Sequence, residues 1–136
     1  MRTKPAILIA SIGMVLAAMP VLGHHSFAAE YDQSKVLTLT GKLVNFEWTN
    51  PHSWVHLEVT NPDGTKAIWK GETPPANVLY RNGWTKPLIG ELVKTGEIVT
   101  LRGPAAKDGS RQIFSQSLTR QDGVTILGLS GPPPEK

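Results

Sequence analysis

The stretch from Val36 to Trp48, with the sequence VLTLTGKLVNFEW, decides the fold. The apolar residues Leu37 and Leu39 share one parity with Gly41. The apolar residues beyond the glycine have the other parity: Val44, Phe46 and Trp48. Because side chains in a strand alternate with a period of two, the apolar face changes only where an extra residue is inserted. Glycine tolerates such a bulge, so we predict a long first strand that bends at Gly41 and serves two sides of a small barrel.

Further strands follow at short intervals. Residues 53–60 (SWVHLEVT) alternate well, with an apolar face made by Val55, Leu57 and Val59. The tight-turn sequence NPDG at 61–64 leads into a returning strand over 65–71, because proline presets one φ angle and glycine supplies a positive one.

The remaining elements complete a barrel pattern. A short helix is predicted over 73–83, since prolines suit a first turn and Gly83 can end it. Strands are predicted within 92–102 (after a turn at 94–96), 111–118 and 124–127. This order is typical of an all-β domain with one short helix, a five- to six-stranded OB-like Greek-key barrel. A small sandwich is the alternative.

The first 23 residues have the pattern of a secretory signal peptide. Arg2 and Lys4 precede an uncharged apolar run over 6–22, and Gly23 is a small residue at the expected cut. The alternative is an uncleaved membrane anchor, for which the run is short. We therefore expect a periplasmic or secreted protein without stable membrane insertion after cleavage. The remaining parts are an extended N-terminal arm (24–35), the barrel (36–129) and a disordered Pro-rich tail (130–136).

Charge and composition exclude several functions. The chain has 14 Lys+Arg against 11 Asp+Glu, but Arg2 and Lys4 belong to the leader, so the mature domain is nearly neutral. Nucleic-acid binding needs clustered basic residues and is not expected. The absence of cysteine excludes disulfides and thiolate metal sites. The expected partner is an envelope protein or a small ligand.

Three segments carry a resemblance. HHSFAAEYD at 24–32 and FEWTNPH at 46–52 lead it, and LYRNGW at 79–84, followed by a GEIVT strand, agrees with them. Together they resemble an uncharacterised family of small exported bacterial proteins that is classed only as a domain of unknown function. The resemblance implies a secreted or periplasmic β-rich domain, and it implies no activity, substrate or catalytic residue.

The histidines point to a metal site. A cut after Gly23 would leave His24 with a free amine and a ring Nδ1 that chelate one ion together. A third nitrogen from His25 or His52 would complete a set suited to Cu(II), or to Zn(II). The predicted metal ligands are therefore His24, His25 and His52, conditional on removal of the leader. The alternative is that the histidines are only solvated or bonded to turn carbonyls.

A second hypothesis uses the polar face of the second strand. Trp54, His56 and Glu58 lie off its apolar parity and are candidates for binding a ligand or protein without metal. His52 and His56 lie about 13 Å apart on a straight strand, so they do not easily share one ion.

A hydrolase is a weaker hypothesis. Ser26, His25 and Asp32 are the residue types of a triad, yet no nucleophile elbow accompanies them. We therefore expect a binding domain rather than an enzyme.

Overall fold

A computed structural model of the protein describes residues 27–128. The predicted leader, His24, His25 and the predicted tail lie outside these residues. The described elements are α1 (Phe27–Glu30), β1 (Tyr31–Glu47), β2 (Ser53–Thr60), β3 (Lys66–Thr73), α2 (Ala76–Arg81), α3 (Lys86–Thr95), β4 (Ile98–Ala106), β5 (Gln112–Phe114), β6 (Ser117–Arg120) and β7 (Thr125–Gly128).

Five strands close into a barrel. Their order is β1-β2-β3-β5-β4, and pairing between β1 and β4 closes the ring. The β3–β5 pair is parallel, whereas the other barrel pairs are antiparallel. The β6–β7 hairpin continues from β4. The predicted OB-like barrel is confirmed, and it encloses a core of buried aliphatic side chains: Leu43, Val55, Leu57, Val99, Leu101, Ile113 and Leu118.

The bulge in β1 was predicted at the wrong residue. The register against β2 shifts between Leu43 and Asn45, so Val44 is the inserted residue and Gly41 still pairs regularly with Val99 of β4. Gly41 serves another purpose, because a β-carbon there would lie 2.5 Å from the carbonyl oxygen of Glu58. The glycine therefore permits close approach of β1 and β2, and the bend follows it by three residues.

The segment 86–95 is a helix, which the sequence analysis missed. The Thr85 side chain accepts a hydrogen bond from the backbone nitrogen of Leu88, and Gly96 ends the helix in the left-handed conformation. Ile89 and Leu92 are buried on its inner face. The described residues thus contain three short helices instead of one, and the turn predicted at 94–96 is the end of α3.

The described part of the predicted arm, residues 27–35, forms α1 and the start of β1. The first strand begins at Tyr31, which pairs with Ala106, and Asp32 pairs with Ala105. The short helix α1 precedes it. No helix among residues 27–128 is long and apolar enough to cross a membrane.

Candidate functional site

A groove lies where the β1–β2 loop, the β4–β5 loop and helix α1 meet the outer face of β2 and β3. Its volume is about 470 Å³, within the range of small-molecule and cofactor sites. The lining residues used below are Phe27, Tyr31, His52, Trp54, Glu72 and Phe114. In OB barrels, the face of the second and third strands and these two loops form the ligand side.

Strand pairing builds the floor of the groove. Trp54 of β2 pairs with Glu72 of β3, and Glu72 pairs in turn with Phe114 of β5. Paired residues share a face of a sheet, so these three side chains form one row on the outside of the barrel. Their neighbours Val55 and Ile113 point inward and are fully buried.

Glu72 is a buried carboxylate with two partners. Only 6% of the residue is exposed. The Tyr31 hydroxyl donates to Oε2 of Glu72 and accepts a hydrogen bond of 2.7 Å from Nε2 of Gln112. The Nδ1 atom of His52 lies 2.9 Å from Oε1. Each carboxylate oxygen therefore has a polar group beside it, which offsets the cost of burying a charged group.

Tyr31 is held as a neutral hydrogen-bond donor. Burial raises the pKa of its phenol, and the hydrogen bond to the Glu72 carboxylate raises the pKa further. The phenol therefore stays protonated well above its ordinary titration range and keeps its hydrogen directed at Glu72.

His52 enters the groove from the loop between β1 and β2. The loop contains a cis peptide bond between Asn50 and Pro51. It is fastened across its base, because the backbone nitrogen of Thr49 donates to the Ser53 hydroxyl (3.2 Å), which donates to the Thr49 carbonyl (3.1 Å). The Thr49 hydroxyl also donates to the carbonyl oxygen of His52.

The Glu72 contact determines which nitrogen of His52 is available. A carboxylate beside Nδ1 favours the neutral tautomer with its hydrogen on Nδ1, which leaves the lone pair on Nε2. The His52 side chain is 45% exposed, and within residues 27–126 no hydrogen-bond or ion-pair partner contacts Nε2. An imidazole oriented in this way can ligate a metal ion or accept a proton.

The charges around the groove favour a cation. Glu30, Glu72 and Asp108 line it, against Lys107. Hydrogen bonds from Ser110 lower the pKa of Asp108, so that carboxyl is ionised at neutral pH. The ammonium group of Lys107 is engaged, since it donates to the carbonyl oxygen of Ala28 at 2.6 Å.

The groove contains two of the predicted site residues, His52 and Trp54. His24 and His25 lie outside the described residues, and the same holds for Ser26. Asp32 is bound within its own turn, because Oδ1 accepts hydrogen bonds from the Ser34 nitrogen (3.0 Å) and hydroxyl (2.6 Å).

The structure does not bring His56 and Glu58 into the groove. Nε2 of His56, a residue only 9% exposed, lies 2.8 Å from Oε1 of Glu47, an ion-pair distance without hydrogen-bond alignment. Glu58 forms an ion pair of 2.8 Å with Lys66 and lines a separate cavity of about 290 Å³. These two residues share the strand face with Trp54 but not its cavity.

Sequence reasoning missed Tyr31, Glu72, Gln112 and Phe114. Tyr31 fell in the predicted arm, and Glu72 followed a predicted strand without a motif around it. Their juxtaposition depends on the parallel pairing of β3 with β5, for which no spacing in the sequence is a signal.

A complete metal site is not present in the described part of the chain. Among residues 27–126, no group of three or more His, Asp or Glu side chains has an arrangement that could hold a metal ion.

Comparison with known proteins gives one match. Residues 12–115 match the family described as "Family of unknown function (DUF6152)". The match spans both leading segments of the predicted resemblance, HHSFAAEYD and FEWTNPH. No curated protein matches the chain.

Proposed function

We propose that this chain, which belongs to the family of unknown function DUF6152, is an exported accessory domain that binds a divalent transition metal. Cu(II) is the first candidate and Zn(II) the second. The ion would lie in the groove, held by His52, His24 and His25 after removal of the leader at Gly23. One observation carries the proposal, namely the 2.9 Å contact between Nδ1 of His52 and Oε1 of Glu72.

That contact matches the way proteins prepare a histidine for a metal. Metal-ligating histidines usually donate their second ring N–H to a carboxylate or carbonyl, which fixes the tautomer and raises the basicity of the ligating nitrogen. Glu72 is itself held by Tyr31, so the imidazole is oriented by two buried groups. A histidine that serves only as a polar turn residue would not require a buried carboxylate beside its ring.

Chain connectivity supports the N-terminal histidines as further ligands. Phe27 lines the groove. A chain extends by at most ~3.6 Å per residue, so two residues span at most about 7 Å and three at most about 11 Å. The covalent connection to Phe27 would therefore allow both histidines to reach the groove.

The donor set indicates which metal is favoured. An N-terminal amine and imidazole nitrogens suit Cu(II), which also has the highest affinity among the common divalent ions. The surplus of carboxylates around the groove favours any divalent cation over an anion.

A titration of the exported, processed protein tests the proposal. Mass spectrometry first establishes the N-terminus, and calorimetry with Cu(II) and Zn(II) then measures affinity and stoichiometry. We expect equimolar Cu(II) binding at micromolar or lower dissociation constants, weakened at least about 10-fold by His52→Ala or His24→Ala. His56→Gln is the matched control, because His56 lies outside the groove. Millimolar binding, or equal affinity in all variants, would reject the proposal.

A second candidate function is metal-independent binding of a small ligand or envelope protein. The observation favouring it is that Trp54 lines the groove beside Glu72, where its indole can stack on a ligand. Fluorescence quenching by glycans or envelope extracts in the presence of a chelator, abolished in Trp54→Ala, would favour this function over metal binding.

A further inference from the structure

The floor of the groove places a carboxylate between two aromatic side chains. Trp54 pairs with Glu72 across β2 and β3, and Glu72 pairs with Phe114 across β3 and β5. Neighbouring strands lie about 4.8 Å apart, so the α-carbons of Trp54 and Phe114 are separated by roughly 10 Å. That separation leaves room for a small group that contacts both rings and lies over the carboxylate.

Two further aromatic rings form a wall beside this row. The ring of Phe27 stacks on Tyr31 with a centroid distance of 5.5 Å and meets Phe114 edge-on at 4.8 Å. Tyr31 and Phe114 themselves lie 5.7 Å apart. The hydroxyl of Tyr31 donates to Glu72. Four Phe, Tyr or Trp side chains of the described residues thus line the groove together with a buried carboxylate.

The charge of the groove is complementary to a cation. The described lining residues include three carboxylates and one lysine: Glu30, Glu72, Asp108 and Lys107. The ammonium group of Lys107 already donates to a backbone carbonyl oxygen, that of Ala28, at 2.6 Å. An anionic ligand would therefore meet more repulsion than attraction, whereas a ligand with a positive charge would be attracted.

The carboxylate on the floor favours a cation that needs no hydrogen bonds. Oε2 of Glu72 accepts from the hydroxyl of Tyr31, and Oε1 lies 2.9 Å from Nδ1 of His52. A primary ammonium group needs acceptors for its three N–H groups, whereas a quaternary ammonium group has no N–H to satisfy. The negative faces of aromatic rings attract such a cation when it lies within about 6 Å of the ring centre.

We propose that the groove binds a small organic cation with a quaternary ammonium group, which lies between Trp54 and Phe114 over the carboxylate of Glu72. This inference rests on the second candidate function, metal-independent binding at Trp54, and involves no metal ion. Trp54 supplies the strongest attraction, because an indole ring binds cations better than a phenyl or phenol ring does. A lipid head group with a phosphate beside its ammonium group is disfavoured by the surplus of carboxylates.

Calorimetry with three probes in the presence of a chelator tests the class of ligand. Choline carries the quaternary ammonium group. A neutral alcohol in which a tert-butyl group replaces the trimethylammonium group has the same shape, and phosphocholine adds the phosphate of a lipid head group. We expect choline to bind at least about 10-fold more tightly than either of the other two.

The possible results separate this inference from the function on which it rests. Equal affinity for choline and the neutral alcohol rejects the cation and leaves metal-independent binding at Trp54 standing. Phosphocholine that binds as tightly as choline, or choline that does not bind at millimolar concentrations, also overturns the inference. The second candidate function is overturned separately, when Trp54→Ala leaves the quenching by glycans and envelope extracts unchanged.

Matched variants locate the cation within the protein. Trp54→Leu removes the aromatic face and keeps an apolar side chain, so choline binding should weaken at least about 5-fold while binding of the neutral alcohol changes less. Asp108→Asn removes one charge and retains an acceptor for Ser110, and it should weaken choline binding about 2- to 5-fold. Tyr80→Leu and Glu58→Gln are the controls, because neither residue lines the groove.

Circular dichroism checks that Trp54→Leu folds. If it does not, Trp54→Phe keeps a smaller aromatic ring and must weaken the binding of choline more than that of the neutral alcohol. Choline affinities that are the same in Trp54→Leu and Tyr80→Leu would contradict the proposed position of the cation.

Discussion

The carboxylate of Glu72 contacts two polar groups at once, and one of them is the ring of His52, whose Nδ1 lies at an ion-pair distance of 2.9 Å from Oε1. The two residues belong to different elements, since His52 precedes β2 and Glu72 lies near the end of β3. The pairing of Trp54 with Glu72 brings these strand ends together. A loop histidine thereby acquires a fixed orientation from the barrel.

Replacing Glu72 by glutamine tests that orientation. The substitution keeps the size of the side chain but removes the charge that His52 contacts. We expect Cu(II) affinity to fall about 10-fold or more, as it does when supporting carboxylates are removed elsewhere. Glu58→Gln is the matched control, because Glu58 pairs with Lys66 away from the groove. Equal affinities in the two variants would show that Glu72 does not prepare His52.

Replacing Tyr31 by phenylalanine tests the buried network. The hydroxyl is the donor to Glu72 and the acceptor from Gln112, so its removal leaves a buried carboxylate oxygen without a partner. We expect a loss of about 1–3 kcal/mol in the free energy of unfolding, measured with urea. Tyr80→Phe, at a residue 43% exposed, should change it by less than about 0.5 kcal/mol. Similar values for the two variants would count against the network.

The raised pKa of Tyr31 predicts a loss of stability in alkali. The native phenol keeps its proton above about pH 10, whereas the phenol of the unfolded chain releases it there. The contribution is therefore fully present below about pH 10 and is lost as the pH rises further, with a slope of up to about 1.4 kcal/mol per pH unit.

Lysine side chains titrate in the same pH range, so the pH dependence of wild type must be compared with that of a variant without the phenol. The free energy of unfolding is followed from about pH 8 to about pH 11 in wild type and in Tyr31→Phe. The wild type should lose more stability over this interval than the variant. Parallel curves would mean that the phenol titrates alike in the folded and unfolded states.

The barrel leaves no space for a side chain at Gly103. A β-carbon at Gly103 would collide with the carbonyl oxygen of Phe114, so Gly103→Ala must displace the backbone at Phe114. We expect a loss of about 1–3 kcal/mol or more. Gly90→Ala is the matched control, because nothing lies within 4 Å of a β-carbon there and alanine favours the α3 helix by ~0.5–1 kcal/mol. The midpoint temperature of unfolding should therefore fall in Gly103→Ala and rise in Gly90→Ala.

The barrel could be predicted from the sequence because its strands follow from local patterns of apolar residues. The alternation of Val55, Leu57 and Val59 and the phase change in the first strand each follow from the side-chain period of two. The exact bulge was not predictable, because Gly41 is required by the approach of Glu58 from another strand. Helix α3 was missed although Thr85 and Gly96 are ordinary capping residues, because residues 94–96 were interpreted only as a turn before the next strand.

The candidate site was predictable only in part. His52 and Trp54 were found because a turn and a strand parity identify them. Glu72 and Tyr31 were not, because a buried carboxylate is recognisable only once its partners are in contact, and those contacts depend on pairing between distant strands. The shared face of Trp54, His56 and Glu58 was correctly inferred, yet one face contains two separate cavities.

Electron paramagnetic resonance of the equimolar Cu(II) complex tests the central claim most directly, because it reports the nitrogen atoms bound to the metal. The processed wild-type protein should show coupling to one more imidazole nitrogen than His52→Ala does, and His56→Gln should retain the full wild-type coupling. A spectrum unchanged by His52→Ala would contradict the account, since the histidine oriented by Glu72 would then not be a ligand.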